Sequence, residues 1–176
     1  MQQLIKLYAG LVIPGILQRY LIIDADTFFL KPTTFIELNT EINEDNNSEN
    51  DLMLFNYSSE YHFPYFEHML RMHPKLIRCA NNSGISHHML FDVKYIKEMF
   101  KMIEELHNDI FYNIFLKCID TNHYLNSGAS EYELYFNYMI NFHNDKIKIR
   151  KLIYKDIKEL VFDESNDYVS YHWYMH

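Results

Sequence analysis

YLIIDADTFFLKP, residues 20–32, starts with an apolar-leaning run, Tyr20 to Ile23, and passes straight into Asp24-Ala25-Asp26. A short continuous run of this kind reads as a strand buried on both faces, as in a parallel sheet. Open α/β sheets bind ligands beyond the carboxyl ends of their strands. A central strand over Tyr20–Ile23 would therefore carry both carboxylates to that rim. Residues i and i+2 share one side of a strand, so Asp24 and Asp26 are expected to converge on one hard cation where the chain bends off the sheet. Mg²⁺ or Mn²⁺ takes oxygen ligands and shares its octahedron with phosphate and water. A cation there would stabilise the charge that develops on a departing diphosphate. A bare D-x-D also describes a turn with two solvated aspartates. The apolar run before it and the aromatic-Pro turn after it favour the site.

The whole chain sets bounds on that reading. It has 176 residues, 48% hydrophobic and 16% aromatic, enough for one globular domain with a core. The net charge of −8 argues against a nucleic-acid footprint and against electrostatic adhesion to anionic lipid. Cys79 and Cys118 are far apart, which disfavours a disulfide framework or a cysteine zinc site. No apolar run reaches the roughly 18 residues of a membrane span. The N-terminus lacks the order of a signal peptide, so cytoplasmic residence is the expectation, in the host cytoplasm if the source is a virus.

Periodicity supplies the elements. Leu4, Leu7, Tyr8 and Leu11 predict a helix that Pro14-Gly15 stops. Residues 39–51, NTEINEDNNSEND, read as an acidic surface loop. LMLFNY (52–57) predicts a strand, 63–72 a helix, and GISHHMLFD (84–92) a strand delivering to an N-cap at Asp92. The helix that follows places Val93, Ile96, Met99, Ile103 and Leu106 on one face. Ile110, Phe111, Ile114, Phe115 and Cys118 predict another. Residues 130–142 form a strong helix start, with Ser130 as cap and Glu133 closing a capping box. KIKIRKLIY and DYVSYHWY read as late strands. Strands mixed with helices predict an α/β domain over residues 1–176.

Two enzyme classes place D-x-D after an apolar strand. In phosphotransferases of the haloacid-dehalogenase type the first Asp is the nucleophile. That motif wants Thr or Val where Phe28 stands, and a later Asp pair at a spacing this chain lacks. The second class is the GT-A glycosyltransferases. QQLIKLYAG, YLIIDADTFFLKP, GISHHMLFD, GASEYELYFNY and YVSYHWY occur in an order that resembles a little-characterised family of glycosyltransferase-like proteins of bacteria and giant viruses. The similarity spans nearly the whole chain, and the His-His and Ser-Glu-Tyr-Glu-Leu-Tyr blocks are its specific part.

The resemblance implies a GT-A-like (Rossmann-like) mixed sheet flanked by helices, a nucleotide-sugar donor, Mn²⁺ or Mg²⁺, and a hydroxyl acceptor on a glycan, lipid or protein. It implies that Asp24, Asp26 and His172 hold the metal, and that Asp24 and Asp26 hold the donor diphosphate. With YVSYHWY as a strand, His172 would face the cleft while Tyr171 and Trp173 pack. His87 and His88, adjacent in a strand, would point to opposite faces; either one, with Ser130, could line the acceptor site. An inverting transferase needs a carboxylate to take the acceptor's proton. Glu131 is the first candidate and Glu133, already occupied by the capping box, the second. Such domains place nucleotide-binding strands upstream of D-x-D, where here only a helix and a turn precede Tyr20. The expectation is a domain lacking those strands, its sheet edge completed by a homodimer or a partner chain. An inactive remnant that serves as a binding or assembly module is the competing expectation.

Overall fold

The computed structural model describes residues 1–38, 51–79, 81–159, 161 and 163–172. It is an α/β protein with helices α1 (Gln2–Val12), α2 (Phe63–Met72), α3 (Val93–His107), α4 (Phe111–Lys117) and α5 (Glu131–Phe142). The strands are β1 (Arg19–Ile23), β2 (Thr27–Phe29), β3 (Ile36–Glu37), β4 (Leu52–Asn56), β5 (His88–Asp92), β6 (Ile147–Arg150), β7 (Tyr154–Ile157) and β8 (Tyr168–Tyr171). No helix among the described residues is long and apolar enough to cross a membrane. The loop predicted over 39–51 lies outside the described residues except for Asp51, and Trp173 lies outside them as well.

The strands form small mixed ladders. β1 pairs antiparallel with β5; β3–β4–β6 combines an antiparallel and a parallel pair, and so does β2–β8–β7. The expectation of a doubly buried parallel strand at Tyr20–Ile23 is therefore corrected. Only Tyr20 of β1 is buried, and Ile23 is exposed. Tyr20 reaches under α1, where Gly10 leaves room: a Cβ there would lie 2.4 Å from the Tyr20 ring. A run of apolar residues reports what could be buried, and the neighbour it finds decides how much is. All of β5 is buried instead, although it begins with His and ends with Asp.

The helices cover this framework as their stripes require. Asp92 caps α3 by accepting from Lys94 N–H, as expected. The buried face of α3 is rotated from the predicted one: Tyr95 and Phe100 join Ile96, Met99 and Ile103, while Leu106 is exposed. Phe100 stacks on Phe111 at 3.7 Å between centroids and tilts against Tyr8 at 4.9 Å, tying α3, α4 and α1 together. Tyr135 of α5 donates nothing to solvent; its hydroxyl accepts from Asp92 N–H at 3.1 Å and locks α5 to the end of β5. Cys79 and Cys118 are free thiols.

Candidate functional site

Strand registers assemble a cleft from distant segments. β1 ends at Ile23 opposite His88, and one further bond, Asp24 N–H to His87 C=O at 2.9 Å, sets Asp24 beside His87. A turn closed by Thr27 N–H on Asp24 C=O at 3.0 Å then leads into β2. β2 lies against β8, and Tyr171 N–H donates to Asp26 C=O at 2.8 Å, bringing Asp26 to the end of β8. β7 runs parallel to β8 with Asp156 opposite Ser170. Registered partners share a face, and so do residues two apart, so Asp156 and His172 end up on the same side.

The resulting cleft has a volume of about 660 Å³, and Asp24, Asp26, His87, Ser130, Glu131 and His172 are among its lining residues. Asp156, Lys6 and Tyr132 line it too, and the sequence reading named none of these three. Lys6 lies one residue before Leu7 on the solvent-facing register of a predicted helix, and Asp156 sits in a strand of mixed polarity; neither carries a motif. Tyr171 also lines the cleft and does not pack away from it as predicted.

The two carboxylates of the motif do not converge. Asp24 Oδ1 accepts from Lys6 Nζ at 2.5 Å and from Tyr132 O–H at 2.9 Å, and Asp24 Oδ2 lies 3.6 Å from His87 Nδ1. Asp26 Oδ2 instead lies 3.3 Å from His172 Nδ1. The residues 24–26 form a turn, which releases the i, i+2 alignment of a strand. Burial works against ionising Asp24, but the His87 hydrogen bond, the Lys6 charge and the Tyr132 hydroxyl outweigh it and hold the carboxyl down to about 2. Burial, and after it the Asp24 and Glu131 carboxylates, push the Tyr132 phenol far above its ordinary value.

The opposite ends of both imidazoles meet at one acid. His172 Nε2 lies 3.2 Å and His87 Nε2 3.6 Å from Asp156 Oδ1. Neither His87 Nε2 nor Asp156 Oδ1 reaches solvent or makes a hydrogen bond. His87 is held at φ 61°, a left-handed backbone that costs a non-glycine residue on the order of 1 kcal/mol. That twist, which the sequence reading took for extended strand, is what turns His87 into the cleft while His88 continues into the core. His88 is thereby removed from the acceptor site. It is boxed by Phe29, Phe35 and Tyr168 at 5.0–5.5 Å, and burial lowers its pKa to about 4.

The two glutamates of α5 also separate. Ser130 Oγ accepts from Glu133 N–H at 3.2 Å, but the reciprocal half of the capping box is absent. The Glu133 carboxylate turns inward to Ser83 O–H at 2.5 Å, Gly84 N–H at 3.0 Å and Asn137 Nδ2 at 2.7 Å. It is fully buried and does not line the cleft, so the structure gives it a scaffold role and not the catalytic one. Glu131 lines the cleft but is not unoccupied as expected: its Oε1 accepts from Lys6 Nζ at 2.5 Å. Burial raises the Glu131 pKa against the opposing pull of Lys6. Burial lowers that of Lys6, yet Glu131 and Asp24 together raise it on balance.

Two further cations lie away from the lining of the cleft: Lys31 pairs with Asp167 at 3.2 Å and Arg19 with Asp92 at 3.2 Å. Comparison of the chain with family models, curated proteins and solved structures finds no match.

Proposed function

We propose that the chain is a GT-A-like glycosyltransferase that moves a sugar from a nucleotide-sugar donor to a hydroxyl acceptor with the help of a divalent cation. The observation that carries this reading is the gathering of Asp24, Asp26, Ser130, Glu131 and His172, from three separate segments, around one cleft. Its volume of about 660 Å³ lies within the range of small-molecule sites, roughly 300–1,000 Å³. The resemblance of the motif blocks supplies the substrate class.

The residues present suit a cation: imidazole nitrogens and carboxylate oxygens converge, and two of these atoms are buried without a hydrogen bond. A divalent ion bound there would neutralise charge on the leaving diphosphate. Glu131 is the group placed to take a proton. The acceptor oxygen would form its bond to the anomeric carbon as the bond from that carbon to the diphosphate oxygen breaks. The electron pair leaves with the diphosphate, and the acceptor proton passes to Glu131. A buried carboxylate with a raised pKa is a stronger base than an exposed one. Lys6 opposes that rise and fixes the direction of the carboxylate.

One observation favours the competing reading of a binding module without turnover. Lys6 already pairs with both Asp24 and Glu131, so two of the cleft's carboxylates are engaged by an internal cation before any ion or substrate binds. The test is release of nucleoside diphosphate from a panel of nucleotide sugars with Mn²⁺ and mixed hydroxyl acceptors. The transferase reading expects release in the wild type and a loss of at least 100-fold in Glu131→Gln, within the range for one general base. Nucleotide binding without release supports the module. Release of inorganic phosphate from phosphate esters would revive the phosphotransferase reading.

A further inference from the structure

We infer that the chain's metal ligands are His87, Asp156 and His172, and that the two aspartates of the D-x-D motif orient the histidines from behind without ligating the ion themselves. This deepens the proposed function by naming the ligands and hence the class of ion.

The geometry is arranged for it. His87 and His172 each direct Nδ1 at one acid of the motif, Asp24 at 3.6 Å and Asp26 at 3.3 Å. Each directs Nε2 at the same atom, Asp156 Oδ1, at 3.6 Å and 3.2 Å. One ligand atom from each of the three residues lies within 4.8 Å of the others. Ligands held at about 2.0–2.2 Å around a tetrahedral ion stand roughly 3.3–3.6 Å from one another. The two separations from Asp156 Oδ1 lie close to that range. Metal-bound histidines commonly give their second ring nitrogen to a carboxylate, which fixes the tautomer and the ring orientation. Asp24 and Asp26 stand where such carboxylates belong.

The alternative is a hydrogen-bonded cluster of imidazoles and acids with no ion. It leaves two atoms unexplained. His87 Nε2 and Asp156 Oδ1 are buried with no hydrogen bond, although His87 is 92% buried and aimed at the centre of the cluster. A buried polar atom without a partner costs about 1–3 kcal/mol. The left-handed backbone of His87 adds a further cost to hold the ring there. Both costs are met if an ion completes the site. Asp24 is also poorly placed as a direct ligand, because Lys6 and Tyr132 already occupy its Oδ1. Two imidazoles with one carboxylate favour borderline transition ions such as Co²⁺ or Zn²⁺ over Mg²⁺ and Ca²⁺, with the harder Mn²⁺ between the two groups.

The test uses the full chain and the metal alone, with no nucleotide. Co²⁺ is titrated by calorimetry and by its visible d–d absorption, and Mg²⁺ is run as a control. Four variants are compared: His87→Asn, which tolerates the left-handed backbone; Asp156→Asn, on a half-exposed strand position; Asp24→Asn; and Asp26→Asn. Circular dichroism checks that each is folded. The expected result is Co²⁺ uptake by the wild type with little response to Mg²⁺, a loss of more than 100-fold in His87→Asn and Asp156→Asn, and a loss of about 10–100-fold in Asp24→Asn and Asp26→Asn. Uptake unchanged in His87→Asn and Asp156→Asn but abolished in Asp24→Asn and Asp26→Asn overturns the assignment, and so does a wild type that takes up no ion. The outcome is separate from that of the transferase reading. Metal uptake without sugar transfer keeps the site and removes the transferase; sugar transfer undiminished in Asp156→Asn does the reverse.

Discussion

Lys6→Met is expected to destabilise the fold by about 3–5 kcal/mol, because removing one partner of a buried ion pair leaves the other charge uncompensated. The magnitude follows from what each acid retains. The Lys6 ammonium spends its protons on Asp24 Oδ1 at 2.5 Å, Glu131 Oε1 at 2.5 Å and Tyr132 O–H at 3.2 Å. After the substitution Asp24 still has the Tyr132 hydroxyl at 2.9 Å and is a fifth exposed. Glu131, whose side chain is 5% exposed, loses its cation and carries most of the cost. Glu131→Gln is milder, about 1–2 kcal/mol, since Lys6 keeps Asp24 and Tyr132. The double variant removes both charges, so its loss falls short of the sum by about 2 kcal/mol or more. Urea unfolding of the four proteins at pH 7 reads the cycle, provided the slope with urea is unchanged. A Lys6→Met loss under about 1 kcal/mol, the size of an exposed pair, would refute the reasoning by showing that Lys6 faces water and not Glu131.

Three further outcomes follow from the placement of individual side chains. Glu133→Ala strips the acceptor from Ser83, Gly84 N–H and Asn137 and is expected to cost about 3–5 kcal/mol, while Glu133→Gln costs about 1–2 kcal/mol and leaves Co²⁺ uptake intact. A Glu133→Gln protein of full stability that transfers no sugar would return Glu133 to the chemistry. His88→Phe, filling an aromatic box with an apolar ring of similar size, should change stability by less than about 1.5 kcal/mol in urea unfolding and leave metal uptake unaltered; lost uptake would put His88 back in the site. Burial holds the His68 pKa at about 4 against the ordinary 6.5, so the unfolded chain takes up this proton first as pH falls. The stabilisation from neutral His68 is present above pH 6.5 and is lost on falling toward 4, by on the order of 3 kcal/mol. Urea unfolding of His68→Gln should therefore approach the wild type in acid, and a gap that stays constant between pH 7 and 4.5 would contradict it.

The elements were legible where one local rule governed them. The stripe of Leu4, Leu7 and Leu11, the Asp92 cap and the Ser130 cap are contacts within a few residues, and each helix stands where they put it. Strand direction was not legible, because an apolar run such as Tyr20–Ile23 is compatible with a parallel or an antiparallel neighbour and His88–Asp92 supplied the latter. The same limit applies to the site. D-x-D, His87, Ser130, Glu131 and His172 could be nominated from residue type and surroundings, and all reach the cleft. Asp156 could not, since its place depends on β7 pairing with β8 in one register. Lys6 was hidden for a similar reason: its partner Glu131 is 125 residues away, and only the packing of α1 beside α5 joins them. His87 and His88 diverge as expected, but by a left-handed residue at φ 61° and not by strand alternation.

The most direct test of a metal-dependent nucleotide-sugar site is calorimetric titration of a panel of nucleotide sugars and nucleoside diphosphates into the full chain, with and without Mn²⁺. The account predicts binding of at least one of them only when Mn²⁺ is present, and loss of that binding in Asp156→Asn. Binding of equal strength in the absence of any divalent ion, or no binding of any member of the panel with Mn²⁺ at saturation, would contradict it.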